Sequence, residues 1–247
     1  MGALDDKTLV INGGGKEKSI GYGVAYALAR EGANICIAGT SRSKLKASRE
    51  LEDEFGVRVM TQCVSEPSEC EIANAVSAFA DAFQRIDVLV CCLQAVKVGD
   101  LFERMRDTDL EHAVQTGPLA YARWMRACLP HLKKTHGCVI NFVSDAAHEG
   151  HEGFSALALA DDAVRGMSHV AAREWEPYGI RVNTVSALAH TSQLDRWAKQ
   201  FSQDYDGLRA KGRLNGLVDV VDDVGATCVR IASGIDCPAS GEHVVIR

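Results

Sequence analysis

Residues 9–29 read Leu9-Val10-Ile11-Asn12-Gly13-Gly14-Gly15-Lys16-Glu17-Lys18-Ser19-Ile20-Gly21-Tyr22-Gly23-Val24-Ala25-Tyr26-Ala27-Leu28-Ala29. An apolar strand runs through a glycine-rich turn straight into an apolar helix, which closes at Gly32, a natural C-terminal helix cap. Glycines permit the tight turn. They also let backbone N–H groups approach a pyrophosphate at the helix N-terminus, where the helix dipole favours an anion. Glycines alone are a weak signal; the strand–loop–helix context strengthens it.

The same alternation continues outward from this stretch. Strands are expected at residues 34–38, 57–64, 86–90, 138–143, 180–186 and 242–246. Between them lie a polar stretch with Leu45, Leu51 and Phe55 closed by Gly56, and a helix opened by Pro67 with Ile72, Val76, Phe79 and Phe83 on one face. Two long helices follow, at 119–132 and 156–175. Continuous apolar strands separated by helices are strands buried on both faces. That pattern predicts an α/β fold with a doubly wound parallel sheet of about seven strands and helices on both faces. No linker or repeat interrupts it, so residues 1–247 are expected to form one domain.

Composition excludes several classes of function. The chain has 247 residues, 47% of them apolar, enough to bury a sizeable core and too many for a disordered chain. Its net charge of -6 argues against nucleic acid as a partner, because that affinity comes from clustered Lys and Arg. The start, Met1-Gly2-Ala3-Leu4-Asp5-Asp6-Lys7, lacks an apolar export signal, and no apolar run reaches the ~18 residues of a membrane span. The nine cysteines include no C-x-x-C pair, and several sit in apolar runs such as Val90-Cys91-Cys92-Leu93. They are expected to be small buried hydrophobes in a reduced, cytoplasmic protein rather than metal ligands.

Several motifs together resemble the short-chain dehydrogenase/reductase superfamily, whose fold is Rossmann-like. They are the glycine loop, in the longer form of the enoyl reductases, Ile86-Asp87-Val88-Leu89-Val90 and Gly137-Cys138-Val139-Ile140-Asn141-Phe142-Val143-Ser144. Ala163-Val164-Arg165-Gly166 and Gly179-Ile180-Arg181-Val182-Asn183-Thr184-Val185 complete the set. The resemblance implies a nicotinamide cofactor bound by Gly13, Gly15, Ser19, Ile20, Gly21, Thr40 and Arg42. Arg42 and Lys44 suit the 2'-phosphate of NADP rather than NAD, and equally suit solvated cations at a helix start.

The resemblance also implies a Ser that polarises a carbonyl, a Tyr that acts as acid and base, and a Lys four residues later. Ser144 is the Ser. Leu157 stands at the Tyr position and Asp161 at the Lys position, while the wider Tyr spacing falls on Phe154. A free Tyr has a pKa of about 10 and needs a neighbouring cation to work near neutrality. Leu157 offers no proton, and Asp161 replaces a positive field with a negative one. The family's Asn-Asn-Ala-Gly reads Cys91-Cys92-Leu93-Gln94, its tetrad Asn falls near Val114, and its adenine-facing Asp falls on Cys63.

These departures predict a catalytically silent subunit that supports an active NAD(P)-dependent paralogue in a hetero-oligomer. The contact is expected through the helices at 119–132 and 156–175. The resemblance, not composition or spacing, implies a hydroxyacyl-CoA from aromatic-hydrocarbon breakdown as the substrate of such a heteromer. Two alternatives stand beside it. One is an active reductase or lyase in which Ser144 works with His148, His151 or Asp161; the other is a regulator that senses NADP. The run Asp145-Ala146-Ala147-His148-Glu149-Gly150-His151-Glu152-Gly153 is expected to border the cleft, and its spacing is not that of a metal site. Residues 190–216 are expected to form a substrate lid.

Overall fold

The computed structural model describes residues 2–13, 18–39, 44–65, 67–92, 96, 98–145, 150–200, 202–210 and 216–247. Seven strands, β1 (Thr8–Asn12), β2 (Asn34–Gly39), β3 (Val59–Cys63), β4 (Val88–Cys91), β5 (Cys138–Phe142), β6 (Arg181–Ala187) and β7 (His243–Ile246), form one sheet. Its order is β3-β2-β1-β4-β5-β6-β7 and every pairing is parallel. The expected doubly wound α/β sheet is the observed one.

The strands alternate between two cores, as a period of two requires. Val10, Cys36, Leu89, Val139 and Val182 face one layer, which contains α3 (Glu69–Phe83), α5 (Pro118–Thr135) and α6 (Ser155–Trp175). Leu9, Ile11, Ile35, Val90 and Ile140 face the other, against α1 (Ile20–Arg30), α2 (Lys44–Phe55) and α9 (Ala226–Ser233). Gly23 shows why α1 sits where it does. A Cβ there would stand 2.1 Å from the Val220 carbonyl oxygen, so only glycine lets the helix pack against the π-helical turn Val220–Gly225.

Details differ from expectation. α3 begins at Glu69, after Pro67, because Ser68 caps it by accepting the Glu71 N–H at 3.2 Å. α4 (Asp107–Thr116), not anticipated, buries only Ala113 and so shows almost no apolar periodicity. Within residues 190–216, expected as a lid, the described residues hold α7 (Ser192–Gln200) and α8 (Ser202–Ala210). No helix among the described residues is long and apolar enough to cross a membrane.

Candidate functional site

Strand order reverses between β1 and β4, and in open α/β sheets ligands bind in the crevice at the carboxyl ends of strands at such a point. Here those ends are tied together. Asn12 Oδ1 accepts the Cys92 N–H at 2.7 Å, and the Cys92 thiol donates to the Asn12 carbonyl at 2.8 Å. Burial pushes the Cys92 thiol up to about 12, so it stays protonated as a donor.

Above this tie, Gly13 turns at φ 97° and its N–H donates to the Ala38 carbonyl at 2.9 Å. Ser19 caps α1, accepting the Tyr22 N–H at 3.2 Å, with Ile20 and buried Gly21 in the first turn. This helix start suits an anion. Gly15, Thr40, Arg42 and His148 lie outside the described residues. The Lys44 backbone opens α2, and Cys63 is exposed at the end of β3.

The other half of the cleft is built differently. Asp161 is fully buried on α6, and its Oδ2 accepts both the Ser144 N–H at 2.9 Å and the Ser144 hydroxyl at 2.8 Å. That hydroxyl proton is therefore directed at Asp161. Leu157, one helical turn before Asp161, is half-buried. Tyr121 is a fully buried phenol whose O–H donates to the Phe142 carbonyl at 3.2 Å, and burial holds it well above the ordinary tyrosine range. The cation in the network is Arg165, which donates to the Ser144 carbonyl at 2.6 Å and to Asp145 Oδ1 at 2.9 Å. The described start of α1 would suit a dinucleotide's pyrophosphate, and the buried carboxylate of Asp161 stands at the position where the resemblance implies a ribose-holding lysine.

Asp145 follows Ser144 at the carboxyl end of β5 and is partly exposed. It turns into a cluster that local sequence does not signal: Ser186 donates to its Oδ2 at 2.7 Å, and His243 Nε2 stands 3.2 Å from its Oδ1. His243 Nδ1 lies 2.9 Å from the Thr184 hydroxyl. Register explains the gathering, because Thr184 pairs with His243 across β6 and β7, and Ser186 shares the Thr184 face. Burial raises the Asp145 carboxyl, but the donors Ser186, Arg165 and His243 outweigh it and hold it below the usual carboxylate range. A group depressed in the folded state contributes stability above its unfolded pKa of about 3.9, and loses it as pH falls through the lower folded value. Asp145→Asn is accordingly expected to flatten the acid limb of a stability–pH curve below about pH 4. Urea titrations at stepped pH would show a limb as steep as that of the parent chain if the cluster contributed nothing.

His151 lies in the turn before α6 with its ring 5.7 Å from that of Phe154. Both help line a recess of about 390 Å³ with Leu101, Phe102 and Ala158, and neither Ser144 nor Leu157 borders it. Phe154 thus occupies the N-cap of α6 and not a proton-donor position. Val114 lies on α4. Among the described residues no group of three or more His, Cys, Asp or Glu stands together as a metal site. All nine cysteines are free, and Cys36, Cys91, Cys128, Cys138 and Cys228 are buried.

A family model described as enoyl-(acyl carrier protein) reductase matches residues 13–246. A 12alpha-hydroxysteroid dehydrogenase of Clostridium sp. is 37% identical over 252 aligned residues, covering 100% of this chain and 97% of that protein. The (2S)-[(R)-hydroxy(phenyl)methyl]succinyl-CoA dehydrogenase subunit BbsC of Thauera aromatica is 28% identical, over 72% of this chain and 69% of its own length. The fold matches the crystal structure of carveol dehydrogenase from Mycobacterium avium in complex with NAD. The TM-score is 0.88 at 19% identity, over 99% of this chain and 97% of that one. The chain belongs to the short-chain dehydrogenase/reductase family.

Proposed function

We propose that this chain is a short-chain dehydrogenase-fold subunit without a proton relay of its own, working beside an active NAD(P)-dependent paralogue in a hetero-oligomer. A single observation carries the reading: one buried carboxylate oxygen of Asp161 takes both donors of Ser144. Oxidising an alcohol by hydride transfer requires a base for the hydroxyl proton. General acid–base catalysis supplies about 10²–10⁴ of the rate. With Leu157 apolar and Ser144 engaged, neither residue provides that base. The paralogue would supply the Tyr and Lys.

The Thauera relative, named as a dehydrogenase subunit, supports a hydroxyacyl-CoA as the substrate of the pair. Exposed Leu119 on α5 and exposed Leu159 and Val170 on α6 support a partner surface on the two helices expected to carry it. A second exposed apolar pair, Ile235 after α9 and Val245 on β7, offers another. Unpaired buried thiols support a cytoplasmic setting.

A second reading is an active NADP-dependent enzyme with relocated acid and base groups. It is favoured by the full-length likeness to a hydroxysteroid dehydrogenase. One experiment separates the two. The purified chain is assayed with NAD and NADP against hydroxysteroids and aromatic hydroxyacyl-CoA thioesters, alone and with a Tyr-x-x-x-Lys paralogue. Alone it is expected to turn over at least about 10³-fold more slowly than the ~10 s⁻¹ of an ordinary enzyme. An ordinary rate from the lone chain would favour the second reading and end the first.

A further inference from the structure

Two segments, 99–103 and 150–154, cross ahead of α6 and leave a cavity beside the crossing. The Gly99 N–H donates to the Gly153 carbonyl at 2.8 Å, and a Cβ on Gly153 would stand 2.9 Å from the Gly99 Cα. Both glycines turn at positive φ, 110° and 78°, so backbone geometry sets the crossing. The recess of about 390 Å³ lies among residues of the two segments and the first turn of α6. Three rings line it, Phe102, His151 and Phe154, together with two carboxylates, Glu103 and Glu152. Among the described residues no Lys or Arg borders it, not even Arg104 beside Glu103. Folding leaves Phe102 75% exposed and Leu101 39% exposed, so the wall of this cavity keeps apolar surface in water.

We propose that this recess binds a small organic cation with an apolar body, of the class of aryl-substituted quaternary ammonium ions. The chemistry of the wall decides the class. Aromatic rings carry negative potential on their faces and attract a cation there. A quaternary ammonium suits such a wall because it donates no hydrogen bond and needs no acceptor. Glu103 and Glu152, both exposed, add two full negative charges. The opposing field is that of α6, whose start at Ser155 lines the recess without a side-chain cap and favours an anion by about half a charge. Two carboxylates against half a charge leave the wall negative. The His151 ring, 5.7 Å from that of Phe154, offers a face in its neutral form. The apolar body then lies on Leu101 and Ala158, in a volume within the range of about 300–1,000 Å³ that small-molecule sites span.

Neither Ser144 nor Leu157 borders the recess, so the proposal does not rest on the silent relay. The test reads binding, not turnover, and its failure leaves the proposed function standing. The full chain is titrated at pH 8 and constant ionic strength with benzyltrimethylammonium, with benzyl alcohol as the uncharged aryl control and phenylacetate as the anion. The cation is expected to bind with a Kd of about 1 mM or tighter, at least about ten-fold more tightly than either control. Amide shifts in the nuclear magnetic resonance spectrum are expected to centre on residues 101–103 and 151–158. The Glu103→Gln/Glu152→Gln double variant should weaken the cation about ten-fold and leave benzyl alcohol unchanged, and Phe102→Leu should weaken the cation about three-fold. All three side chains are exposed or mostly so, and the fold is expected to keep its melting temperature. Equal binding of the alcohol, tighter binding of phenylacetate, shifts centred elsewhere, a Kd weaker than about 1 mM, or affinity for the cation unmoved by the double variant would each overturn the proposal.

Discussion

Asp161→Ala is expected to cost about 3 kcal/mol of stability, a fall in Tm of roughly 6–12 °C for a chain of this length. The argument counts stranded donors. In the parent chain one oxygen satisfies the Ser144 N–H and O–H, and Asp161 has no exposure to water. Removing that acceptor takes it from two donors of half-buried Ser144, each costing about 1–3 kcal/mol if left unmet. Relief from burying a carboxylate returns part of the loss, which is why the figure stays below the sum. Asp161→Asn keeps an acceptor and should lose less than half as much. Calorimetry on the three chains checks it; equal melting of Asp161→Ala and the parent would mean Ser144 finds other partners.

Asp87→Ala should be at least as damaging, at about 3–5 kcal/mol. The Asp87 side chain, 4% exposed, accepts the Thr8 N–H at 2.9 Å and both Arg85 donors at 2.8 and 2.7 Å, with Lys7 at 3.5 Å. Its backbone carbonyl accepts the Cys138 N–H at 2.9 Å, so this residue ties the entry of β4 to β1 and β5 at once. Without the carboxylate, Thr8 N–H faces the core edge unpaired. Arg85 and Lys7, each about two-fifths exposed, turn to water, which places the result toward the lower end. Urea unfolding measures it. A midpoint within about 0.5 kcal/mol of the parent would show that water replaces the carboxylate.

What the chain discloses in one dimension follows from how far apart its cooperating residues lie. The five inner strands, buried on both faces, announce themselves as apolar runs. The partly buried edge strands β3 and β7 keep enough apolar residues that all seven are legible to within a residue or two. α4 is not, since Asp107-Thr108-Asp109-Leu110-Glu111-His112-Ala113-Val114-Gln115-Thr116 buries one small residue and leaves no stripe. The π-helical turn at Val220–Gly225 exists because Gly23 admits it from across the fold, a cause nearly 200 positions away. In the site, Leu157 and Asp161 are legible by their offset from Arg165-Gly166. That Asp161 turns inward to hold Ser144 is visible only in three dimensions. The Asp145, Arg165, Ser186 and His243 cluster has no local signal at all, because strand pairing and not spacing assembles it.

The stretch after β6 leaves the sheet and returns on neighbouring residues: Ala189 bridges Val218, the His190 N–H donates to the Val218 carbonyl at 3.0 Å, and the Val218 N–H donates to the Leu188 carbonyl at 3.0 Å. Departure and return thus share one anchor, and the frame closes regardless of what is strung between. A graft of the corresponding stretch from a paralogue, joined at these two points, would leave the sheet, its cores and the buried Asp161 undisturbed, so this stretch and the scaffold can diverge separately in descendants of this sequence.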